Sequence, residues 1–298
     1  MTSVAFYEAF ANVLVSHDLL HALRDHPETV RAKYALTEPE LALLRSAAPD
    51  ALHLSQHMVR AKRAVALELL LPQTVRVLEE HDGGATLSRY VDDVLCRSDV
   101  DILRAVTHGH DFVRWLAEQP DDRRPVGLID LARFELAVAD LGVDPAAAEA
   151  ALRRVQAPDG PAGPIEADPR AYPMLAADVR VVLLHCDVLA LPNPVHLSDL
   201  AARITEGHGL LLRKIWNVRS PACHRLGIAS VELLRRCDGR TPVEDVVAAV
   251  VGADPAARAR ARHVVSRAAA ESIVHLCPAE AGERSPNGEE ASCEFAPL

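Results

Sequence analysis

Between Gly209 and Leu276 the chain writes out its own helix boundaries, and this stretch restricts the possible folds more than any other. The run reads GLLLRKIWNVRSPACHRLGIASVELLRRCDGRTPVEDVVAAVV and then GADPAARARARHVVSRAAAESIVHL. An extended apolar piece comes first. A helix around Ile228 to Cys237 stops before Gly239, a residue that tolerates the left-handed conformation helix exits often need. Thr241-Pro242-Val243-Glu244 opens a second helix, with Thr241 placed to cap free amides, Pro242 suited to the first helical position and Glu244 where a capping box wants a carboxylate. After a break at Gly252, Asp254-Pro255 repeats the device for a third helix. An extended apolar segment feeding three short helices predicts a small module with its own core.

Composition sets the frame around that module. A chain of 298 residues holds two or three modules at ~100–200 residues each. Hydrophobic residues make up 49% but aromatics only 4%, so the cores must be built from Leu, Val and Ala, which favours helices. The expected class is α+β: a mostly α-helical N-terminal region and a C-terminal small-sheet module of winged-helix order. A formal net charge of -10 and a pI near 5.8 argue against unselective binding to nucleic acid, which needs a basic surface to displace counterions. No basic segment followed by an apolar run and a small-residue cleavage site stands at the start. No uncharged run approaches the ~20 residues of a membrane helix, so a cytoplasmic protein with no membrane partner is expected. Cys96, Cys186, Cys223, Cys237, Cys277 and Cys293 are scattered, which reads as reduced thiols rather than zinc or disulfide chemistry.

Taken in order, Val4 to Ala47 is helical throughout, interrupted at His26-Pro27 and restarted by the capping box Thr37-Glu38-Pro39-Glu40. Ala51 to Leu71 reads as one long amphipathic helix, and Val75 to Glu80 continues beyond Pro72. His53 and His57 stand one turn apart without a carboxylate between them, and His108 and His110 flank Gly109. Neither pair defines a metal site. Asp144-Pro145 caps a helix running to Val155, after which APDGPAGPIEADP breaks all periodicity and reads as a linker. Val179 to Leu184 predicts a buried strand, His196 to Ile204 a helix, and Leu210 to Val218 a strand limited by Pro221. The tail from Pro278, rich in Glu, Gly, Ser and Pro, is expected to be disordered. The segments so defined are 1–48, 51–156, 157–171, 172–277 and 278–298.

Three of these stretches carry resemblances. LGIASVELLRRCDGRTPVEDVVAAVV, with its turn Asp238-Gly239-Arg240-Thr241, resembles the peptide-chaperone domain of pyrroloquinoline quinone biosynthesis, the prototype of recognition elements that bind leaders of ribosomally made, post-translationally modified peptides. The resemblance implies a leader site on Leu210 to Leu276, where Leu212, Lys214 and Trp216 are the candidates on the strand. On the third helix, spacing turns Ala257, Ala261, Val264 and Ala268 toward the core. Arg260 and Arg267 then share one flank of that stripe, Arg258 and Arg262 the other, and one flank would suit an acidic leader. FANVLVSHDLLHALRDHPETVRAKYALTEPELALLRSA is similar to the small helical subunit of protocatechuate ring-opening dioxygenases, which implies a docking unit. DFVRWLAEQ followed by LIDLARFELAVADL resembles the helical N-terminal domain of proteins encoded beside multinuclear non-haem iron oxidative enzymes. That likeness implies an enzyme-facing surface, with Trp115, Asp130, Arg133, Phe134 and Glu135 as its candidates, while Trp115 and Phe134 also read as core residues on the apolar faces of their helices.

The chain has no glycine-rich phosphate loop, nucleophile elbow or histidine-glutamate-histidine helix, and adjacent acids such as Asp92-Asp93 and Asp121-Asp122 describe solvated surface. The resulting expectation is a non-catalytic partner subunit without cofactor or metal. It would bind a precursor peptide through its leader and form a hetero-oligomer with an iron-dependent oxidative peptide-modifying enzyme. The competing expectation is a winged-helix transcription regulator that senses a ligand through its N-terminal helices.

Overall fold

The computed structural model describes residues 3–14, 16–47, 49–91, 94, 105–120, 124–156 and 165–278. The protein is α+β, and its contacts divide it into two compact units. One comprises Met1–Asp140 with His185–Glu206, the other Leu141–Leu184 with Gly207–Leu298. This division differs from the expected segments, because the helix after Asp144 groups with the sheet module. Among the described residues no helix is long and apolar enough to cross a membrane.

The first unit begins with α1 (Val4–Val13), α2 (His17–Asp25), α3 (Pro27–Tyr34) and α4 (Glu38–Ser46). Their apolar faces meet in a core containing Phe6, Val13, Leu23, Val30, Leu41 and Leu44. The break at His26-Pro27 and the Thr37–Glu40 capping box form as expected. Glu40 does more than cap its own helix: Ser3 N–H donates to it at 2.9 Å, and Thr37 donates from its N–H at 3.0 Å and its hydroxyl at 2.7 Å. One carboxylate thus fastens the start of α1 to the start of α4.

The unit continues with α5 (Pro49–Leu70), α6 (Pro72–Asp82), α7 (Ala85–Tyr90), α8 (Ala105–Glu118) and α9 (Leu128–Val143), whose residues from Leu141 onward are assigned to the second unit. Gly109 lets α8 approach α9, since a Cβ there would stand 2.7 Å from Leu136 Cδ1. Tyr90, Phe112 and Trp115 form an aromatic cluster with centroid separations of 4.9, 5.4 and 6.3 Å, geometry that favours edge and offset contacts. The short α11 (Leu197–Ala201) completes it.

The second unit holds α10 (Pro145–Gln156), β1 (Tyr172–Leu175), β2 (Val179–Cys186), β3 (Ile204–Arg213), β4 (Ala222–Leu226), α12 (Ile228–Arg235), α13 (Val243–Val251), α14 (Pro255–Ala270) and β5 (Val274–Cys277). The outer ends of β2 and β3 belong to the first unit. β2, β3 and β4 form one sheet in that order, and β1 pairs with β5 in another. β3 and β4 are antiparallel, with Gly209 opposite Leu226 and Arg213 opposite Ala222. Gly209 is where α12 comes closest: a Cβ there would fall 1.8 Å from Val231 Cγ2, and Val231 is fully buried. No side chain larger than hydrogen fits without moving the helix.

The turn Asp238–Thr241 docks on β1. Asp238 Oδ1 accepts the amides of Arg240 at 2.8 Å and Thr241 at 3.1 Å. Gly239, at φ 74°, donates its N–H to Pro173 O at 2.8 Å.

Several expectations are corrected here. Strand β3 begins at Ile204 and ends at Arg213 rather than spanning Leu210 to Val218, because Lys214 N–H turns to Asp178 O at 2.8 Å. The Thr241–Glu244 capping box does not form. Helix α13 starts one residue later, its first amides bond to Ala171 O and Pro169 O, and Glu244 instead pairs with Arg258 and Arg262. Residues 157–164 of the expected linker lie outside the described residues. Its remainder is packed: Ala167 and Ala171 are buried, and Ala167 N–H donates to Ser266 Oγ at 3.0 Å. Helix α14 buries Ala261, Val265, Ala268 and Ala269, so Val265 takes the core position expected of Val264. The expected disordered tail falls outside the described residues from 279 onward.

Acid should loosen the N-terminal helices through Glu40. Hydrogen bonds from Ser3 and then Thr37 lower its pKa from the ordinary 4.5 to about 2. A depressed carboxylate contributes stability that is present above its unfolded value and lost as pH falls through the folded one. Urea unfolding followed between pH 5 and pH 2 should show a progressive loss of stability in the parent. Glu40→Gln should be less stable at pH 7 and have a flatter profile across that window. An identical slope in the two proteins would rule out this role for Glu40.

Candidate functional site

A groove of about 450 Å³ opens in the second unit between β4 and α14, with α12 beneath it. Leu211, Leu226, Leu234, Val264, Ala268 and Ile273 supply its apolar surface, and Arg213, His224, Arg225, His263, Arg267 and Glu271 its polar rim. β4 is the terminal strand in the order β2-β3-β4, and such an edge presents main-chain donors and acceptors to an added strand. The rim therefore carries three arginines and two histidines against one carboxylate, in a chain of net charge -10.

These rim groups have different degrees of freedom. Arg213 is fixed, donating to Glu271 O at 2.9 Å and Ser272 O at 3.1 Å. Burial, with Arg154 nearby, lowers its pKa from the ordinary arginine value. Arg267 is 74% exposed and pairs with Glu271 at 2.9 Å, an exposed one-turn pair that contributes little on its own. His224, Arg225 and His263 are exposed.

Of the residues expected to read a peptide, the groove gathers Arg267 alone. Arg260 is exposed on α14, one turn before His263 and Val264, so it extends the same flank. Arg258 and Arg262 lie on the other flank and are held by Glu244 of α13 at 3.2 and 2.9 Å, with Arg258 also donating to Gly252 O at 2.7 Å. Leu212 is fully buried and unavailable to a ligand, because strand alternation turns it to the face opposite Leu211. Lys214 is half-buried with Nζ 3.3 Å from Gly142 O. Trp216, 41% exposed, sits in the β3–β4 connection and does not line the groove. The sequence reading missed Arg213, His224, Arg225 and His263. Ala222–Leu226 has no apolar-polar alternation to announce β4, and five residues are too few to register.

The candidates for an enzyme-facing surface need a larger correction. Asp130 is 6% and Glu135 9% exposed. Asp130 Oδ2 accepts the amides of His185 and Cys186, and Arg133 lies 3.7 Å from its other oxygen. Glu135 accepts Gln73 N–H at 2.8 Å, Thr74 N–H at 2.9 Å and the Thr74 hydroxyl at 2.7 Å. It thereby caps α6 from a distant helix, at the end where backbone amides and the helix dipole favour an anion. Burial raises the Glu135 pKa while these three donors oppose the rise. Both carboxylates point inward because buried backbone amides need acceptors, those of Glu135 at a helix start and those of Asp130 at the end of β2. Trp115 belongs to the aromatic cluster, Phe134 is half-buried, and Arg133 is exposed. What the first unit does expose is an apolar seam on α5: Leu54, Met58, Val65 and Leu69, from 49% to 79% accessible, spaced to share one face.

Among the described residues no group of three or more metal-ligating side chains comes together. Cys186, Cys223 and Cys237 are free thiols, and burial pushes Cys186 up to about 11 and Cys237 up to about 12, which keeps those two protonated and unreactive. Cys96, Cys293, the two aspartate pairs and the His53 side chain lie outside the described residues.

If Glu135 is an internal cap, Glu135→Ala should destabilise the protein by about 1–3 kcal/mol, the range for leaving buried donors unsatisfied. A carboxylate reserved for a partner would leave unfolding unchanged, so equal urea midpoints for parent and variant would overturn the assignment. No protein-family model matches the chain, and no curated protein matches it significantly.

Proposed function

We propose that this chain is a non-catalytic partner subunit that acts in the cytoplasm. It captures the leader of a ribosomally made precursor peptide and presents the core of that peptide to an iron-dependent oxidative enzyme. The observation that carries the reading is the groove beside an edge strand, with an apolar floor and a cationic rim. A peptide added along β4 gains main-chain bonds from the edge and side-chain selectivity from α14, and the rim selects acidic residues. The chemistry belongs to the enzyme. Tethering supplies an effective core concentration of order millimolar, so a weak contact between core and active site suffices. The apolar seam on α5 supports a docking role for the helical unit toward that enzyme.

The two arginine flanks separate reading from structure. Reversing Arg260 and Arg267 to Glu should weaken binding of the labelled leader by about five- to tenfold at low salt. Reversing Arg258 and Arg262 should leave affinity within about twofold while lowering the unfolding midpoint, because both would then repel Glu244. Equal effects on affinity from the two reversals would remove α14 as the reader of charge.

Reconstitution tests the partner role. Precursor, enzyme and this chain together should give the mass change of modification, and neither protein should do so alone with the peptide. Full turnover by the enzyme without this chain would end the proposal.

A further inference from the structure

A cavity of about 170 Å³ opens in the first unit where α2, α4 and the start of α5 meet. Leu20 and Leu23 of α2, Leu44 of α4 and Leu52 of α5 wall it, and these side chains are only 1% to 7% exposed. His21 and Arg24 of α2 and Arg45 of α4 also line it and are exposed, so they stand at its mouth. Among the described residues none that lines the cavity is acidic or aromatic.

Helix spacing produces this division. Leu20 and Leu23 stand three residues apart on α2, as do His21 and Arg24 beside them, so one pair turns inward while the other edges the opening. On α4, Arg45 follows the buried Leu44 by one step round the helix and reaches the opening from the opposite side.

Size and lining select the ligand. An apolar cavity of about 150 Å³ admits a six-carbon ring, so this one takes an apolar body of about six carbons. It is smaller than the pockets of about 300–1,000 Å³ that hold drug-sized ligands. The leucine wall offers no aromatic face for a ring to stack on, which favours an aliphatic chain. At the mouth, Arg24 is already engaged: its Nε and Nη2 donate to Asp25 at 2.8 and 3.2 Å, and Nη2 lies 3.4 Å from His21 Nδ1. That pair is close to neutral. Arg45 is therefore the group that makes the opening cationic and gives it a preference for an anion.

We propose that this cavity binds a short aliphatic monocarboxylate, with its chain against Leu20, Leu23, Leu44 and Leu52 and its carboxylate at Arg45. The site shares no residue with the β4–α14 groove, and it stands or falls independently of the peptide reading.

Isothermal titration of the full-length chain with sodium hexanoate at low salt tests it. The expected dissociation constant is below about 1 mM, with hexan-1-ol at least about fivefold weaker. Arg45→Glu, a surface change that should leave the circular dichroism unaltered, is expected to weaken hexanoate by at least about fivefold. Leu52→Phe, which fills the cavity, should weaken it by at least as much. Arg260→Glu with Arg267→Glu should leave hexanoate binding unchanged. No binding by the parent, hexan-1-ol as tight as hexanoate, or an affinity that either Arg45→Glu or Leu52→Phe leaves unchanged would overturn the proposal. So would loss of hexanoate binding in the Arg260 and Arg267 double variant, because the ligand would then lie in the β4–α14 groove.

Discussion

A buried ion cluster around Asp178 is the interaction on which the second unit most depends. Asp178 is 2% exposed, and it sits between Arg154 of α10 and Arg213 of β3. Arg154 also donates to Lys214 O at 2.6 Å, and Arg213 reaches the carbonyls that close α14. One carboxylate therefore joins α10, the start of β2, the end of β3 and the end of α14. Buried charges are expensive to desolvate, and removing one partner leaves the other uncompensated. The cluster is consequently a rigid fixture at one end of the groove, and it holds β3 and α14 in position for β4 and the rim.

The first unit uses single carboxylates in a related way. Glu40 satisfies amides at the starts of α1 and α4, Glu135 at the start of α6, and Asp130 the amides of His185 and Cys186. Glu80 accepts Leu197 N–H at 3.2 Å, at the start of α11. Each helix leaves its first amides without internal partners, and bundles of short helices multiply such ends. A core poor in aromatics, built from Leu, Val and Ala, offers no acceptors of its own. Part of the acidic excess that composition assigns to solvent is thus spent inside the fold.

The groove follows from two further constraints. Gly209 lets α12 sit directly on the sheet through Val231, which lowers the helical layer onto β3. Beyond that contact α14 stands next to β4 with small residues, Val264 and Ala268, facing the gap. The arginines of α14 divide by helix geometry, one flank tied to Glu244 and the other on the side of the opening, where Arg267 pairs with Glu271.

How much of this was legible depended on whether the signal was local. Capping residues, prolines and glycines act within a few residues of themselves, so the sequence alone determined the helix starts at Thr37, Asp144 and Asp254, the breaks at Pro27 and Gly252, and the α+β order of helices followed by a small-sheet module. It determined the helical stripe of α14 to within one residue. The five-residue β4 and the four-residue β1 and β5 carry too little periodicity to be read, and strand pairing is set by partners far away in the chain. The direction of a charged side chain is equally nonlocal: Asp130 and Glu135 look like surface acids until α6 and the backbone at His185 are brought against them, and Arg258 and Arg262 look like Arg267 until α13 presents Glu244. Only the tertiary structure decided which charges face a ligand, because a charge turns toward whichever unsatisfied donor or opposite charge the packing places nearest.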